Sequence, residues 1–371
     1  MDRMRLFAIA RKEILQLRRD SRSLILAFLL PVALLIFFGY AITWDVKDIR
    51  MAVVDQDRTR AARELVDVFR ASGRFTVVAL PERTADIGAL LDRGTVRLVL
   101  VIPPRFAADL GARRTAVVQA IVDGSDANTA TISLGYTQAI AQQYSAQVLL
   151  QTRRVRLPVS AETRIWYNEE LSSRNMIVPG LVAVIMMIIA GLLTSLTIAR
   201  EWERGTMEQL ASTPVTRLEV VIGKLLPYLA IGLVDVAVCS IVGVLLFHVP
   251  FRGNVLYLAG TSFAFLTGTL GLGLFISAVS RSQLLATQIG MIATFLPGFL
   301  LSGFMFAIEN MPLPLRLLTY LVPARYFLVV TRGIFLKGVG PAVLWPEGLL
   351  MILYAVAGLA LATRAFKKEL A

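Results

Sequence analysis

The sequence predicts an all-α membrane bundle of six transmembrane helices, with a large α/β domain inserted between helices 1 and 2. Composition is the first reason: 56% of the 371 residues are hydrophobic and only 17% are charged, against about a quarter in soluble domains. The mean hydropathy is +0.67, and a soluble fold of this size has too little interior to bury that much apolar surface. The other reasons are six apolar runs of spanning length and one long stretch of alternating strand and helix patterns.

The six apolar runs match the roughly 20 residues that a helix needs to cross a bilayer. The first is longer than the apolar part of a signal peptide and lacks a small-residue cleavage site after it, so we predict an uncleaved anchor. Only the third has an acid deep within it, Asp235. The predicted spans are residues 23–44, 176–199, 225–247, 253–280, 282–308 and 344–363.

Residues 1–22 are predicted to form an amphipathic helix on the cytoplasmic membrane surface. Apolar residues recur at helical spacing, and seven of these 22 residues are Lys or Arg. The alternative is a simple cytoplasmic extension of the first span. Basic residues beside spans favour the cytoplasm, which places both termini there together with the loop 200–224. The apolar positions are Leu6, Ala10, Ile14 and Leu17.

Residues 45–175 are predicted to form the α/β domain, on the periplasmic side of the membrane. Runs rich in Val and Ile alternate with segments of helical periodicity, a pattern typical of α/β layers. The length, roughly 130 residues, suffices for an independent core. Strands are predicted at 49–55, 75–80, 96–102 and 115–122, and helices at 58–71, 82–93, 106–110 and 129–154.

Aspartates near two of the predicted strand ends allow two interpretations. Open α/β sheets bind ligands at strand ends, so a metal or ligand site is one. Aspartate also caps helices and forms turns, and this second interpretation is the favoured one. The residues are Asp55, Asp57, Asp123 and Asp126.

Residues 295–343 are predicted to be a re-entrant or periplasmic segment before the last span. Pro297 and Gly298 interrupt the fifth span, and Pro and Gly recur through 312–340. Such breaks are tolerated at membrane depth where the backbone is buried in protein.

No motif for covalent chemistry occurs in the chain. The Gly-Lys pair at 223–224 lacks the other residues of a Walker loop. One cysteine, Cys239, and one histidine, His248, exclude a disulfide and a Cys/His metal cluster. We therefore predict no catalytic residue and no metal site, and we interpret His248 as a residue at the lipid–water boundary.

The loop 200–224 carries the most specific motif: Arg200-Glu201-x-Glu203-x-Gly205-Thr206-x-Glu208-x-Leu210. A short charged helix between two spans suits docking to a soluble partner, although an ordinary connecting loop is the alternative. With Pro214, Glu219 and Gly223-Lys224, the stretch resembles the signature loop of type-2 ABC exporter permeases, in particular the bacterial drug-export branch. Further similar motifs are FLLP at 28–31, DGSDAN at 123–128, PFRG at 250–253, LSGF at 301–304 and PARY at 323–326. The chain departs from the family at Ala307, where proline is usual.

This resemblance implies a permease with no ATPase of its own. Two permease subunits, identical or sister chains, would pair above two copies of an ATP-binding subunit that holds ATP and Mg. A periplasmic membrane-fusion adaptor and membrane lipid are further candidate partners, and no nucleic acid is expected. The implied ATPase-coupling residues are Arg200, Glu201, Glu203, Arg204, Gly205, Thr206, Glu208 and Leu210.

Asp235 is costly to place inside a membrane, so by default it indicates a function such as an ion relay. The alternative is a hydrogen bond to a neighbouring helix, at Ser240 or along the glycine-rich fourth span. With Pro297, Ser302 and Phe304, Asp235 is a candidate for the translocation pathway. The predicted function is ATP-driven export of a lipophilic or amphipathic small molecule across the bacterial inner membrane. The alternatives are an ion-coupled transporter and a receptor for a periplasmic ligand.

Overall fold

The computed structural model describes residues 2–20, 24–42, 48–112, 114–125, 127–153, 167–168 and 172–366. The chain divides into two compact units. One consists of residues 1–43 together with 165–371, and the other of residues 44–164.

The first unit begins with two helices. Helix α1, Arg3–Arg19, starts at Asp2, whose side chain accepts the backbone N–H of Met4. Its buried face consists of Ile9, Ala10, Glu13 and Leu17. Ile14, on the predicted apolar face, is exposed. A π-helical turn, Ile25–Leu29, leads into helix α2, Leu30–Ala41, within the first predicted span. Residues 23, 43 and 44 of that span lie outside the described residues.

The second unit is built on a four-stranded sheet in the order β2-β1-β3-β4. The first three strands are parallel and β4 runs antiparallel to β3. Helices pack on both faces, with one core under α3 and α6 and another under α4. The strands are β1 Ile49–Asp55, β2 Phe75–Ala79, β3 Leu98–Ile102 and β4 Gln119–Val122. The helices are α3 Arg60–Ala71, α4 Asp86–Asp92, α5 Phe106–Gly111 and α6 Ala127–Arg153.

The remainder of the first unit is almost entirely helical. Helix α7 is Ser173–Glu203, α8 is Met207–Ala211, α9 is Arg217–Leu245, α10 is Val255–Ser280 and α11 is Gln283–Leu296. A π-helical turn, Pro297–Leu301, extends α11. Helix α12, Leu313–Leu318, precedes α13, Pro323–Arg332, and the last helix, α14, is Pro341–Ala365.

Five helices of the described part are long and apolar enough to cross a membrane: α7, α9, α10, α11 with its π-turn, and α14. The segments Leu313–Leu321 and Pro323–Lys337 are bent by 78° and would make a sixth if counted as one span. The protein is thus a mostly helical membrane protein with five to six apolar helices.

One predicted helix end was wrong. The fifth span, predicted to end at 308, ends at Leu301, shortly before Gly303 adopts a left-handed backbone with φ +84°. Within the predicted cytoplasmic loop 200–224, α7 continues to Glu203 and α9 begins at Arg217.

Candidate functional site

Helix α1 lies directly against the start of α9. Gly223 of α9 makes this approach possible, because a side-chain carbon there would lie 2.9 Å from Ile9 and 3.3 Å from the carbonyl oxygen of Leu6. A small residue at a helix contact lets two backbones come close. The pattern in residues 1–22 therefore reflects packing against protein as well as amphipathicity.

A buried group of charges joins α1, α7 and α9; we call it the charge cluster. The Lys224 Nζ lies 2.5 Å from a carboxylate oxygen of Glu13 and 2.9 Å from one of Glu201. Lys12 Nζ lies 2.6 Å from Glu201. The side chains of Lys224, Glu13 and Glu201 are at most 5% exposed. Two ammonium groups balance two carboxylates, which is what buried charges require.

The N-terminal end of α1 is fastened to the start of α9. Glu219 accepts the backbone N–H of Asp2 at 2.6 Å through one carboxylate oxygen and that of Thr216 at 2.8 Å through the other. The Thr216 hydroxyl in turn accepts the N–H of Glu219, which completes a capping box. Arg5 donates to the carbonyl oxygen of Pro214 at 2.5 Å. The loop before α9 is therefore tied to α1.

The C-terminal end of α1 is held by α7. The guanidinium of Arg200 lies 3.1 Å from the carboxylate of Asp20, and both side chains are largely buried. The contacts at the two ends of α1 and the charge cluster together connect α1, α7 and α9. We call this connected region of the three helices the joint.

The charged residues of the loop between α7 and α9, which do not belong to the charge cluster, are exposed. Gly205, with φ +67°, ends α7 in the left-handed backbone that favours glycine. Met207 of the short helix α8 is buried, whereas Arg204 and Glu208 are exposed and form no ion pair within the described part of the chain. Glu203 accepts the backbone N–H of Gln283 at 2.7 Å and so links α7 to α11.

The predicted coupling residues thus fall into three groups. Arg200 and Glu201 lie inside the joint, and Thr206 and Leu210 are half-buried. The exposed residues are Glu203, Arg204, Gly205 and Glu208. Sequence reasoning missed Glu13 and Lys12 and gave Lys224 no ionic partner. One signal was available: Glu13 lies on the same helical face as Ala10 and Leu17, and a charge within an apolar stripe requires a partner.

The pathway candidates lie at separate places in the first unit. Ser302 Oγ accepts the N–H of Phe304 at 3.2 Å, just after the π-turn that Pro297 begins. Asp235 is buried in α9 and has no hydrogen bond or ion pair with any described residue. The hydroxyl of Ser240 is also without a partner, so the alternative of an Asp235–Ser240 hydrogen bond was wrong.

The aspartates of the inserted unit act in turns, as the favoured interpretation predicted. Asp57 accepts the Thr59 hydroxyl and the backbone N–H groups of Arg105 and Ala107, and these bonds lower the pKa of its carboxyl below 3.8. Hydrogen bonds from Ser125, and then the Arg97 guanidinium, likewise lower the pKa of Asp123. Asp126 lies outside the described residues.

Comparison with known proteins identifies the family. A family described as ABC-2 family transporter protein matches residues 22–364. The chain belongs to this family. The ABC-2 relatives include the probable multidrug ABC transporter permease YbhS of Escherichia coli K12, 38% identical over 99% of this chain and 97% of the relative. The similarly named YbhR is 32% identical over 92% of both chains. The inner membrane transport permease YhhJ is 28% identical over 86% of this chain and 85% of the relative.

Proposed function

We propose that this chain is the membrane subunit of an ATP-driven exporter, and that the joint of α1, α7 and α9 receives the force from a separate ATP-binding subunit. The observation that carries this proposal is the charge cluster. Three helices, two of them spans, meet there on buried charges, directly beside a short helix whose Glu208 is exposed and which follows the exposed Arg204. A push on that helix moves two spans together, because breaking the buried ion pairs is costly.

The exposed residues Arg204 and Glu208 are proposed to contact the ATP-binding subunit, whereas Glu201 and Lys224 transmit the movement inside the permease. The coupling residues are thus divided into those that dock the ATP-binding subunit and those that transmit its movement to the spans. ATP and Mg would be held by the partner. Two permease chains would pair, the termini would be cytoplasmic, and the inserted α/β unit would be periplasmic, where an adaptor could bind. The apolar helix at 24–41 would complete six spans with the five long helices, and the bent segment would be re-entrant or periplasmic.

The proposed cargo is a lipophilic or amphipathic drug-like molecule that leaves through a path between the two permease chains. The relatives YbhS and YbhR carry the description multidrug in their names, which supports this cargo class. Asp235, Pro297, Ser302 and Phe304 are the proposed pathway residues.

The test is co-purification of the tagged chain from its native membrane in mild detergent, with an ATPase assay of the complex. We expect an ATP-binding subunit to accompany the wild type. The double variant Arg204→Ala, Glu208→Ala should lose it while remaining folded, since both side chains are exposed. Glu309→Ala, an exposed carboxylate on another loop, is the matched control and should retain the partner.

A conservative transmission variant, Glu201→Gln, separates the two roles. It should keep the ATP-binding subunit but uncouple ATP hydrolysis from export. If no ATPase accompanies the wild type even after cross-linking, the exporter proposal fails. Export driven by an ion gradient without ATP would instead favour an ion-coupled carrier acting through Asp235.

A further inference from the structure

The last turn of α7 carries two carboxylates that contact different helices. Glu201 and Glu203 are two positions apart, which on an α-helix is a rotation of about 200°. Glu201 belongs to the charge cluster and contacts α1 and α9. Glu203 lies on the other side of α7 and accepts a hydrogen bond from α11. The end of α7, directly before Arg204, is therefore attached to two different groups of helices.

The contacts of Glu203 supply a cap for the start of α11. Ser282 precedes α11, but its side chain makes no capping hydrogen bond. One carboxylate oxygen of Glu203 instead accepts the backbone N–H of Gln283 at 2.7 Å, and the other accepts the side-chain amide of Gln283. The first N–H groups of a helix have no partner within the helix, and a negative charge beside them is favourable. Glu203 thus holds the first turn of α11 by its backbone.

Trp202, the residue before Glu203, contacts the same turn of the chain at the end of α10. The Arg281 guanidinium lies over the Trp202 ring, 4.6 Å from its centroid, and this contact is favourable. Arg281 has φ +50°, a left-handed backbone in which a residue other than glycine persists only where its surroundings hold it. We call the pairs Trp202–Arg281 and Glu203–Gln283 the clasp.

Beyond the clasp, α11 stays close to α7. A side-chain carbon at Gly290 of α11 would lie 3.0 Å from Ser195 of α7, and one at Gly191 of α7 would overlap Thr294 of α11. Such glycines let two helix backbones come close, and Ser195 and Thr294 have no exposed surface. From the clasp to Thr294 these contacts cover about 17 Å of α11. They end three residues before Pro297, where the π-helical turn begins.

We infer that the last turn of α7 is a branch point. The charge cluster passes its movement to α1 and α9, whereas the clasp passes it to α11 and so to the segment that begins at Pro297. Tightly packed helices do not slide freely past one another, because packed interfaces are not continuously deformable. Glu203 is then a positioning residue for the fifth span and not a contact of the ATP-binding subunit. This inference rests on the proposed function, since the movement originates in that subunit.

The clasp itself is tested by hydrogen exchange on the full-length protein in detergent, without ATP or a partner. Glu203→Ala should raise exchange about 3- to 10-fold at residues 283–287, as expected for one lost hydrogen bond, and leave α1 unchanged. Glu203→Gln keeps an acceptor oxygen and should restore most of the protection. Glu309→Ala, at an exposed carboxylate of another loop, is the control. Equal exchange in Glu203→Ala and the wild type would overturn the clasp.

Transmission is tested on the complex with the ATP-binding subunit in nanodiscs, through single-cysteine reporters. The chain has one cysteine of its own, Cys239, and it is buried. Met305→Cys reports on the segment after the π-helical turn and Met4→Cys on α1, and both side chains are exposed. ATP should change the rate at which maleimide labels each reporter. Adding Glu203→Ala should reduce the ATP response of Met305→Cys about 3- to 10-fold and leave that of Met4→Cys unchanged.

The outcomes separate this inference from the proposed function. Loss of the ATP response at both reporters in Glu203→Ala, or at neither, would overturn the branch point. Loss of the ATP-binding subunit from Glu203→Ala would make Glu203 a docking residue and contradict its positioning role. Return of the response in Glu203→Gln would exclude a general loss of structure as the cause. If neither reporter responds to ATP in the complex without the Glu203 substitution, the proposed function fails and transmission with it, while hydrogen exchange still decides whether the clasp exists.

Discussion

The carboxylates of the charge cluster and those at the strand ends of the inserted unit are held in different ways. Glu13 and Glu201 are buried and are held by lysine side chains from distant parts of the chain. Asp57 and Asp123 are held largely by backbone N–H groups and hydroxyls, in part from residues two positions away, and Asp123 also by the Arg97 guanidinium. The first arrangement joins helices, whereas the second shapes turns. The difference predicts that substitutions in the charge cluster lower the stability of the whole helical bundle. Substitutions at the turns should lower the stability of the inserted unit alone.

The largest effect is expected from Lys224→Met. It leaves Glu13 buried without its cation, and removing one partner of a buried pair costs about 3–5 kcal/mol. We expect loss of most folded protein on size exclusion in detergent. Lys337→Met, at an exposed lysine, is the control. Adding Glu13→Gln to Lys224→Met should restore part of the yield, and no rescue would show that the charge pairing is not the cause.

A smaller effect is expected from Gly223→Leu, which forces α1 away from α9. Overpacking a tight contact costs about 1–3 kcal/mol, so the bundle should stay folded while α1 shifts away from Gly223 and loosens, with the charge cluster still holding it. Hydrogen exchange should rise in residues 3–19 and stay unchanged in α10. The matched control is Gly260→Leu, at a helical glycine with open space around it. Equal protection of α1 in both variants would contradict the close packing.

Asp57→Asn should destabilise the inserted unit alone. The folded-state pKa of Asp57 lies below its unfolded value of 3.8, so its stabilising effect is complete above that value and is lost as the pH falls through the folded pKa. The variant should melt a few degrees lower than the wild type at neutral pH, and this difference should shrink in acid. Asp67→Asn, at an exposed position of α3, provides the control. A difference that is independent of pH would argue against ionised Asp57 as the cause.

The smallest effect on stability is expected from Asp235→Asn, within about 1 kcal/mol, because Asp235 has no described hydrogen bond or ion pair to lose. Assembly should be normal while export changes. The checks are copy number of the purified complex and export by cells that carry the variant, beside Ser280→Ala as a control. Unchanged export would remove Asp235 from any ion-relay scheme.

The sequence could predict features that depend on nearby residues, such as the turns of the inserted unit, but not the charge cluster. Local patterns predicted the strands of the inserted unit and the short helix after Gly205, because neighbouring residues determine these features. They also predicted a turn role for Asp57, but not its hydrogen bonds to the distant N–H groups of Arg105 and Ala107. The charge cluster could not be predicted, since Glu13 and Lys224 are 211 positions apart and nothing local indicates that they meet. The ends of apolar runs were also poor guides to helix ends: the capping box at Thr216 sets the start of α9, and the break at Pro297 and Gly303 sets the end of the fifth span.

The distance in sequence between α1 and its partners also determines the order in which the protein can be assembled. Helix α1 is synthesised before α9, and because Lys224 follows Glu13 by 211 residues, the delay at 5–20 residues per second is about 10–40 s. During that time Glu13 must stay hydrated. The exposed apolar residues Met4, Phe7 and Leu15 give the helix a way to rest on the membrane surface meanwhile. Helix α1 can therefore be locked in place only after α9 has been made, and its docking would report that α7 and α9 have reached their positions.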